Sequence, residues 1–465
     1  MNLSSYLGVL VFGFSIWLSR GRIDPAFPLS GQLALGLLST YLASFFILSS
    51  IKIENFKIIK NLINLMIISF CVMALLQNNL MYQNILKENP ALAFIGPLRW
   101  IPENSYFLFK TMLWITIVIL ISFLFIKKLI IKIDPEYIFL FLGIPLFFLI
   151  LRTSPFPIID VFTTNTTATL NLLKGLNPYS EKYIDIYQGS AGYAPSFGYF
   201  PGYLLFSIIA LILGDIRIAS IASLVGIGFL MFKKCDAGEH GKSIKLVVIA
   251  AILFGGSSFF IIEQAWIDPI LAFAIFLAGS FLEQKKIFSA ALACGIAITI
   301  KQYAFVAVVF FILFSLKNNG IDKTIKLVLA LIGVSILILL PFLIWDFKSF
   351  YASTISGIAN LPPRIDSLSI RSYILSRTNN DFSTISYICP LVILVLASKK
   401  IWRESDKMET LYLFTGFAYF LIFFFSSHSF ANYYYLIYLF LLNSLFCSLK
   451  KNWKNNVEKA HLKCV

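Results

Sequence analysis

Residues 137–160 read YIFLFLGIPLFFLILRTSPFPIID. The run 137–151 is uncharged and apolar, Arg152 closes it, two prolines shape the next few residues, and the stretch ends on the carboxylate of Asp160. A membrane-spanning helix needs about 20 apolar residues, fewer where its ends can snorkel. The stretch therefore reads as a helix that crosses a bilayer and opens onto a polar segment at its far lip.

The rest of the chain repeats this pattern. Its 465 residues are 58% hydrophobic and 13% charged, with a mean hydropathy of +0.83. A soluble domain carries roughly 25% charged residues, so the solvent of this chain must be lipid. The expected fold is all-α, a polytopic transmembrane helix bundle of about 14 crossings plus one re-entrant or interfacial helix. The crossings read from the sequence are 3–18, 33–50, 62–76, 107–126, 137–151, 218–232, 246–261, 267–282, 287–300, 304–316, 327–343, 384–398, 411–426 and 432–449. The first lacks a basic leader and a small-residue cleavage site, so it is expected to stay in place rather than act as a signal peptide.

Charge assigns the sides. The formal net charge is +15. Lys and Arg concentrate in loops 52–60, 127–136 (Lys127, Lys128, Lys132), 233–245, 283–286, 317–326 and 399–409 (Lys399, Lys400, Arg403), and in the tail with Lys450, Lys451 and Lys454. These read as cytoplasmic by the positive-inside rule, and their scatter gives no stripe for nucleic acid. Loops 20–30, 77–105, 152–199, 262–266, 344–383 and 427–431 then lie outside. An odd number of crossings must separate outer loop 152–199 from inner loop 233–245, so one of 200–213 and 218–232 does not cross. The shorter one, opening on Phe200-Pro201-Gly202, is expected to be re-entrant or interfacial. The same parity makes 287–316 two short crossings that meet at Lys301-Gln302-Tyr303, which puts Lys301 inside protein rather than lipid. The six cysteines (71, 235, 294, 389, 447 and 464) avoid the outer loops and form no CxxC, so neither a disulfide nor a metal site is expected of them.

The two long outer loops, 152–199 and 344–383, are where function is expected. Asp160 could be a general base or cation ligand at the helix lip, or a cap for a helix over 161–174. Gly175-Leu176-Asn177-Pro178-Tyr179 serves as a helix stop, and Asn177 and Tyr179 could also meet a sugar. Glu263, Gln264 and Asp268 sit at a tight outer turn; carboxylates there need a cavity or a partner such as Lys301. Lys301 needs an anion, either a phosphate or a carboxylate such as Glu263. Arg364 and Arg371, like Arg152, are outer arginines suited to an anion or to lipid headgroups. His428 is the one outer histidine, and Tyr433-Tyr434-Tyr435 beyond it reads as an interfacial aromatic belt. Asn165-Thr166-Thr167 is a sequon.

In their order, these features resemble the GT-C superfamily of polytopic glycosyltransferases, in particular the polyprenyl-phosphate-mannose-dependent α-mannosyltransferase type. The likeness rests on Asp160 with Gly175, Asn177, Pro178 and Tyr179; the aromatic turn Phe197-Gly198-Tyr199-Phe200-Pro201; Glu263, Gln264, Asp268 and Lys301; and Pro362-Pro363-Arg364-Ile365-Asp366-Ser367-Leu368-Ser369. It covers about residues 137–449. The expected organisation is extra N-terminal transmembrane helices over 1–136, a GT-C-like catalytic membrane core over 137–449, and a basic cytoplasmic tail over 450–465. The resemblance implies transfer of a hexose, mannose in that type, from a polyprenyl-phosphate donor to a lipid or glycan acceptor at the extracytoplasmic face of the cell membrane. Asp160 would be the base of an inverting single displacement. Lys301, Arg364, Arg371 and His428 would hold the donor phosphate, and Asn177, Tyr179, Glu263, Gln264 and Asp268 would contact substrate. Members of this type generally need no metal. A flippase or transporter of a lipid-linked sugar, and a glycan polymerase or ligase, are the competing readings; the latter would not need Asp160.

Overall fold

The computed structural model describes residues 1–23, 28–76, 103–126, 133–189, 192–235, 238–404 and 406–461. Lys127, Lys128, Lys132, Cys464 and most of loop 77–105 lie outside the described residues, as do the side chains of Lys451 and Lys454. The described chain is helical. In order the helices are α1 (Leu3–Ser19), α2 (Pro28–Ser50), α3 (Phe56–Leu76), α4 (Glu103–Phe125), α5 (Glu136–Thr153, with a π turn at Phe139–Gly143) and α6 (Asp160–Leu173). There follow α7 (Gly202–Ile212), α8 (Ile218–Phe232), α9 (Glu239–Phe254), α10 (Ser258–Glu263), α11 (Asp268–Glu283) and α12 (Ile287–Ile300). The last are α13 (Ala304–Asn319), α14 (Ile321–Tyr351), α15 (Ile370–Thr378), α16 (Ile385–Glu404), α17 (Met408–Phe424) and α18 (Ala431–His461).

Among the described residues, 8 helices are long and apolar enough to cross a membrane: α2, α3, α4, α5, α9 with α10, α14, α16 and α18. Apolar helices α1, α7, α8, α12, α13 and α17 are shorter. The α9–α10 span is wholly enclosed by protein, whereas α14 and α16 stand at the rim with most of their surface open. α1 is central rather than appended. Phe12 packs against Tyr41 of α2, Phe420 of α17 and Tyr434 of α18, and Ser5 and Ser444 share a hydrogen bond of 2.8 Å.

Three segments differ from the expectations. The span 246–261 is broken: Gly256 and Ser257 both take left-handed backbone (φ 60° and 59°) between α9 and α10. The break sits under α18, where a Cβ on Gly255 would overlap the Tyr438 hydroxyl. Tyr438 adds a bond to the Ala251 carbonyl at 2.9 Å, the Ser258 hydroxyl donates to the Gly255 carbonyl at 2.8 Å, and Tyr435 pairs with Ser258 at 3.0 Å, so side chains brace the break. Segment 344–383 is not mainly loop. α14 carries on past Asp346, where the backbone leaves helix (φ −158°) and the carboxylate recaps it by accepting from the Ser349 amide at 3.0 Å. Only the stretches around 360–369 and 379–384 are irregular. Finally α18 runs on through the tail to His461 instead of ending at 449.

The bundle has two chemically different ends. At one, Lys60 meets Glu239, Lys234 meets Glu283 (2.5 Å), Lys245 meets Asp134 and Glu136, and Lys400 bonds Ser49 and Ser50. All the lysines here come from loops or helix ends read as cytoplasmic. At the other end, residues 20–23, the described parts of 152–199, and segments 262–266, 344–383 and 427–431 converge. α7 starts and finishes at this second end: Gly202 lies against Thr299 beside Lys301, and beyond α7 Arg217 donates to the Ser154 carbonyl (2.7 Å) at the lip of α5. Thr169 of α6 bonds Ser207 of α7 at 2.8 Å, so the two short helices lie together there.

Arg217 fixes this corner. Its side chain is fully buried, forks onto Asp215 (2.6–3.1 Å) and covers the Phe162 ring at 5.0 Å. Arg217→Ala strands Asp215 and the Ser154 carbonyl, so a loss on the order of 3 kcal/mol is expected. A thermal melt of the purified variant in detergent measures it.

Candidate active site

Asp160 is the first residue of α6, not its cap. Ile159 holds the cap position with extended backbone and no side-chain cap bond exists. The Asp160 carboxylate instead accepts from its neighbour's amide, Val161 N–H, at 2.8 Å, and from two tyrosine hydroxyls: Tyr193 at 3.1 Å on Oδ2 and Tyr187 at 3.4 Å on Oδ1. Tyr187 is placed by a turn in which Asp185 accepts from the Tyr187 and Gly189 amides at 2.9 and 2.7 Å. Burial, then the charge of Asp160, pushes the Tyr193 phenol up to about 12 and that of Tyr187 well above the ordinary value. Both stay protonated donors and keep lone pairs of Asp160 oriented.

The field of Arg364 reaches the two tyrosines of this group, and His428 in turn lies within electrostatic reach of Arg364 and Arg371. Arg364 forks onto Asp366 with two bonds of 2.8 Å and covers the Phe430 ring at 5.3 Å. The Asp366 bond raises its already high pKa, and its field reaches Tyr193 and Tyr187. His428 shares a 3.0 Å bond between Nδ1 and the Ser427 hydroxyl, while Nε2 is buried without a hydrogen-bond partner, with the Pro362 backbone nearby. Burial first, then the charges of Arg364 and Arg371, lowers its pKa to about 4. Arg371 forks onto Asp381 at 2.7 Å and bonds Ser386 at 3.0 Å.

Beside this group lies a buried hub. Asp268 is fully buried and accepts from Lys301 (3.1 Å), Asn432 (2.9 Å) and Tyr303. Lys301 is the extended residue between α12 and α13, ringed by Tyr303 at 4.8 Å and by Tyr199 and Tyr433 at 5.2 Å. Gln302 next to it ties Gly198 and Thr354 with two 2.8 Å bonds. The carboxylate answering Lys301 is thus Asp268, not Glu263. Glu263 and Gln264 are buried at the end of α10.

The remaining residues have structural commitments. Asn177 accepts from the Tyr179 amide at 3.0 Å, while its Nδ2 is buried without a partner. Tyr179 donates to the Tyr199 carbonyl at 3.0 Å and packs on Phe197, Phe342 and Phe350. Gly175 stops α6 in left-handed backbone, φ 76°. Arg152 is exposed in the last turn of α5. Tyr434 and Tyr435 are fully buried, so the tyrosine run is interior packing and not a belt facing lipid. Asn165 is also fully buried, which hides its sequon in the folded protein. Sequence reasoning missed Tyr187, Tyr193 and Asn432. Tyr303 was visible only as part of the polar interruption at Lys301. Among the described residues no three His, Cys, Asp or Glu side chains gather as a metal-holding group.

Residues 197–427 match the model of glycosyltransferase family 87. The matched residues include Glu263, Gln264, Asp268, Lys301, Arg364 and Arg371, and leave Asp160, Asn177, Tyr179 and His428 beyond their bounds. No curated protein matches the chain significantly. Among solved structures, the crystal structure of ArnT from Cupriavidus metallidurans bound to undecaprenyl phosphate is similar at 13% identity and a TM-score of 0.42, over 69% of this chain and 60% of that one. The chain thus spans 60% of that protein's length.

Two outcomes follow from this geometry. Breaking the hub from one side with Lys301→Met or Asp268→Leu should destabilise more than changing both together, because each single change buries an unpaired charge; melts of the two single variants and the double variant measure the coupling. The second concerns pH. Unfolded His428 titrates near 6.5 and folded His428 near 4, so between those values the unfolded chain binds the extra proton. This contribution to stability is present above about pH 6.5 and shrinks as pH falls toward about 4. His428→Gln should flatten that part of the melting-temperature profile.

Proposed function

We propose that the protein is a membrane glycosyltransferase of GT-C type that transfers a hexose, mannose by the resemblance, from a polyprenyl-phosphate-linked donor to a hydroxyl of a lipid or glycan acceptor. The observation that carries this reading is the carboxylate of Asp160, at the mouth of a membrane helix and held by two tyrosine hydroxyls that the field of Arg364 reaches. Asp160 takes the acceptor's hydroxyl proton as that oxygen attacks the anomeric carbon. The bond from that carbon to the phosphate oxygen breaks in the same displacement, so configuration inverts and the lipid phosphate leaves with the electron pair. Arg364 meets the charge growing on the phosphate, and neutral His428 offers its unpartnered Nε2 as a hydrogen-bond donor. Arg371 sits behind them. Lys301, paired with Asp268, shapes the tyrosine wall beside the phosphate and adds positive potential. Asn177, Tyr179, Glu263 and Gln264 brace the acceptor side.

The segregated charge supports the sidedness. The lysine-rich end reads as cytoplasmic, which supports an extracytoplasmic position in the cell membrane for this site. The test is transfer from a synthetic short-chain polyprenyl-phosphate-mannose by purified protein, wild type beside Asp160→Asn. The expected outcome is a rate loss of about 10²-fold or more in a variant that melts like the wild type. Equal rates would remove Asp160 as base. Absence of transfer by wild type across several lipid-phosphate sugars and acceptors would count against the enzyme reading.

A further inference from the structure

The turn that follows α1 belongs to the N-terminal region the sequence left without a role. α1 ends in two successive left-handed residues, Arg20 (φ 50°) and Gly21 (φ 69°). The Ser19 hydroxyl and carbonyl hold the turn by accepting from the amides of Gly21 and Arg22, each at 3.1 Å. Gly21 then lies so close to the start of α18 that a Cβ would overlap the backbone of Ala431. That contact aims the next two residues at the outer segment 362–369. Arg22 forms an antiparallel bridge with Ser367, and the Ile23 amide donates to the Asp366 carbonyl at 2.8 Å.

The other edge of that segment is tied to the α17–α18 loop. The Leu368 amide donates to the Ser429 carbonyl at 3.0 Å, the Ser429 amide donates to the Ser367 hydroxyl at 2.6 Å, and Tyr434 donates to the Leu368 carbonyl. Residues 366–368 are therefore a short extended strip laced on both sides. On its near edge Asp366 is the residue whose backbone Ile23 fixes and whose carboxylate forks Arg364.

We propose that the turn Gly21–Ile23 is a positioning element for the anion-binding arginine: by pairing with the backbone of Asp366 it sets where Arg364 meets a lipid-linked phosphate. The inference rests on the assignment of Arg364 to the phosphate. It gives the N-terminal helices a part in donor recognition, because α1 seats the turn and α18 receives it. A strip held from one side only would let the Asp366–Arg364 pair swing with its segment, and a displacement near 1 Å is enough to cost a positioned group much of its effect.

The test measures binding of a short-chain polyprenyl phosphate to full-length protein in detergent, together with kcat and KM for donor and acceptor. The variants are Arg364→Gln, Gly21→Ala, Ile23→Pro, which removes the amide donor, and Ile23→Ala, which keeps it. Melting temperature accompanies each. Expected are weaker phosphate binding and higher donor KM, by about tenfold to a hundredfold, in the first three, with Ile23→Ala close to wild type and acceptor KM little changed. If Arg364→Gln weakens binding while folded Gly21→Ala and Ile23→Pro bind normally, the positioning role is overturned and the arginine assignment stands. If Arg364→Gln itself binds normally, the arginine assignment fails and the positioning proposal fails with it. Should Gly21→Ala not fold, Ile23→Pro against Ile23→Ala decides alone. Weakening in both Ile23 variants alike would trace the effect to side-chain packing and also overturn the proposal.

Discussion

A carboxylate with no access to water must be matched by charge and by hydrogen bonds, and Asp268 is matched from three directions at once. Lys301 comes from the junction of α12 and α13, Tyr303 from the first turn beyond it, and Asn432 from the start of α18. Each partner alone would leave lone pairs of a buried anion unmet. Together they fix where two short helices meet and how far α18 rises, which determines the level at which the outer loops gather. The lysine in turn is enclosed by Tyr199, Tyr303 and Tyr433, so the same ion pair orders an aromatic wall shared with the site around Asp160.

Interruptions of helix in the bundle share one feature: polar side chains bond backbone groups close to each of them. At Gly255–Ser257 the tyrosines of α18 supply them. At Lys301 the extended residue is flanked by Gln302, whose amide reaches two carbonyls. At Asp346 the chain caps itself. These interruptions steer Glu263, Lys301 and the 350–359 turns toward one end of the bundle. The other end is secured by lysine–carboxylate pairs that are partly exposed and cost little to form. The division of labour is physical: the buried Asp268–Lys301 pair shapes the site end, while partly exposed pairs dress the opposite one.

Membrane character, the helical class and the partition of loops into two sets were legible in the sequence, since hydropathy and lysine placement act locally and add along the chain. The two short helices meeting at Lys301 followed from parity alone. What the sequence determined about the site was its inventory: Asp160, Asp268, Lys301, Arg364, Arg371 and His428 stood out because charge near an apolar run is costly and has to be explained. Which charge answers which was decided only by tertiary structure. Lys301 takes Asp268 rather than Glu263, Arg364 and Arg371 each take an aspartate from their own segment, and Asp160 takes two tyrosines with no sequence mark. Partner choice depends on distances of a few ångströms between elements far apart in the chain, and hydrophobic periodicity carries no such information. For the same reason the turn at Gly21 was unreadable. A glycine after a helix signals only a stop, and that this one brings α1 against α18 is a fact of packing.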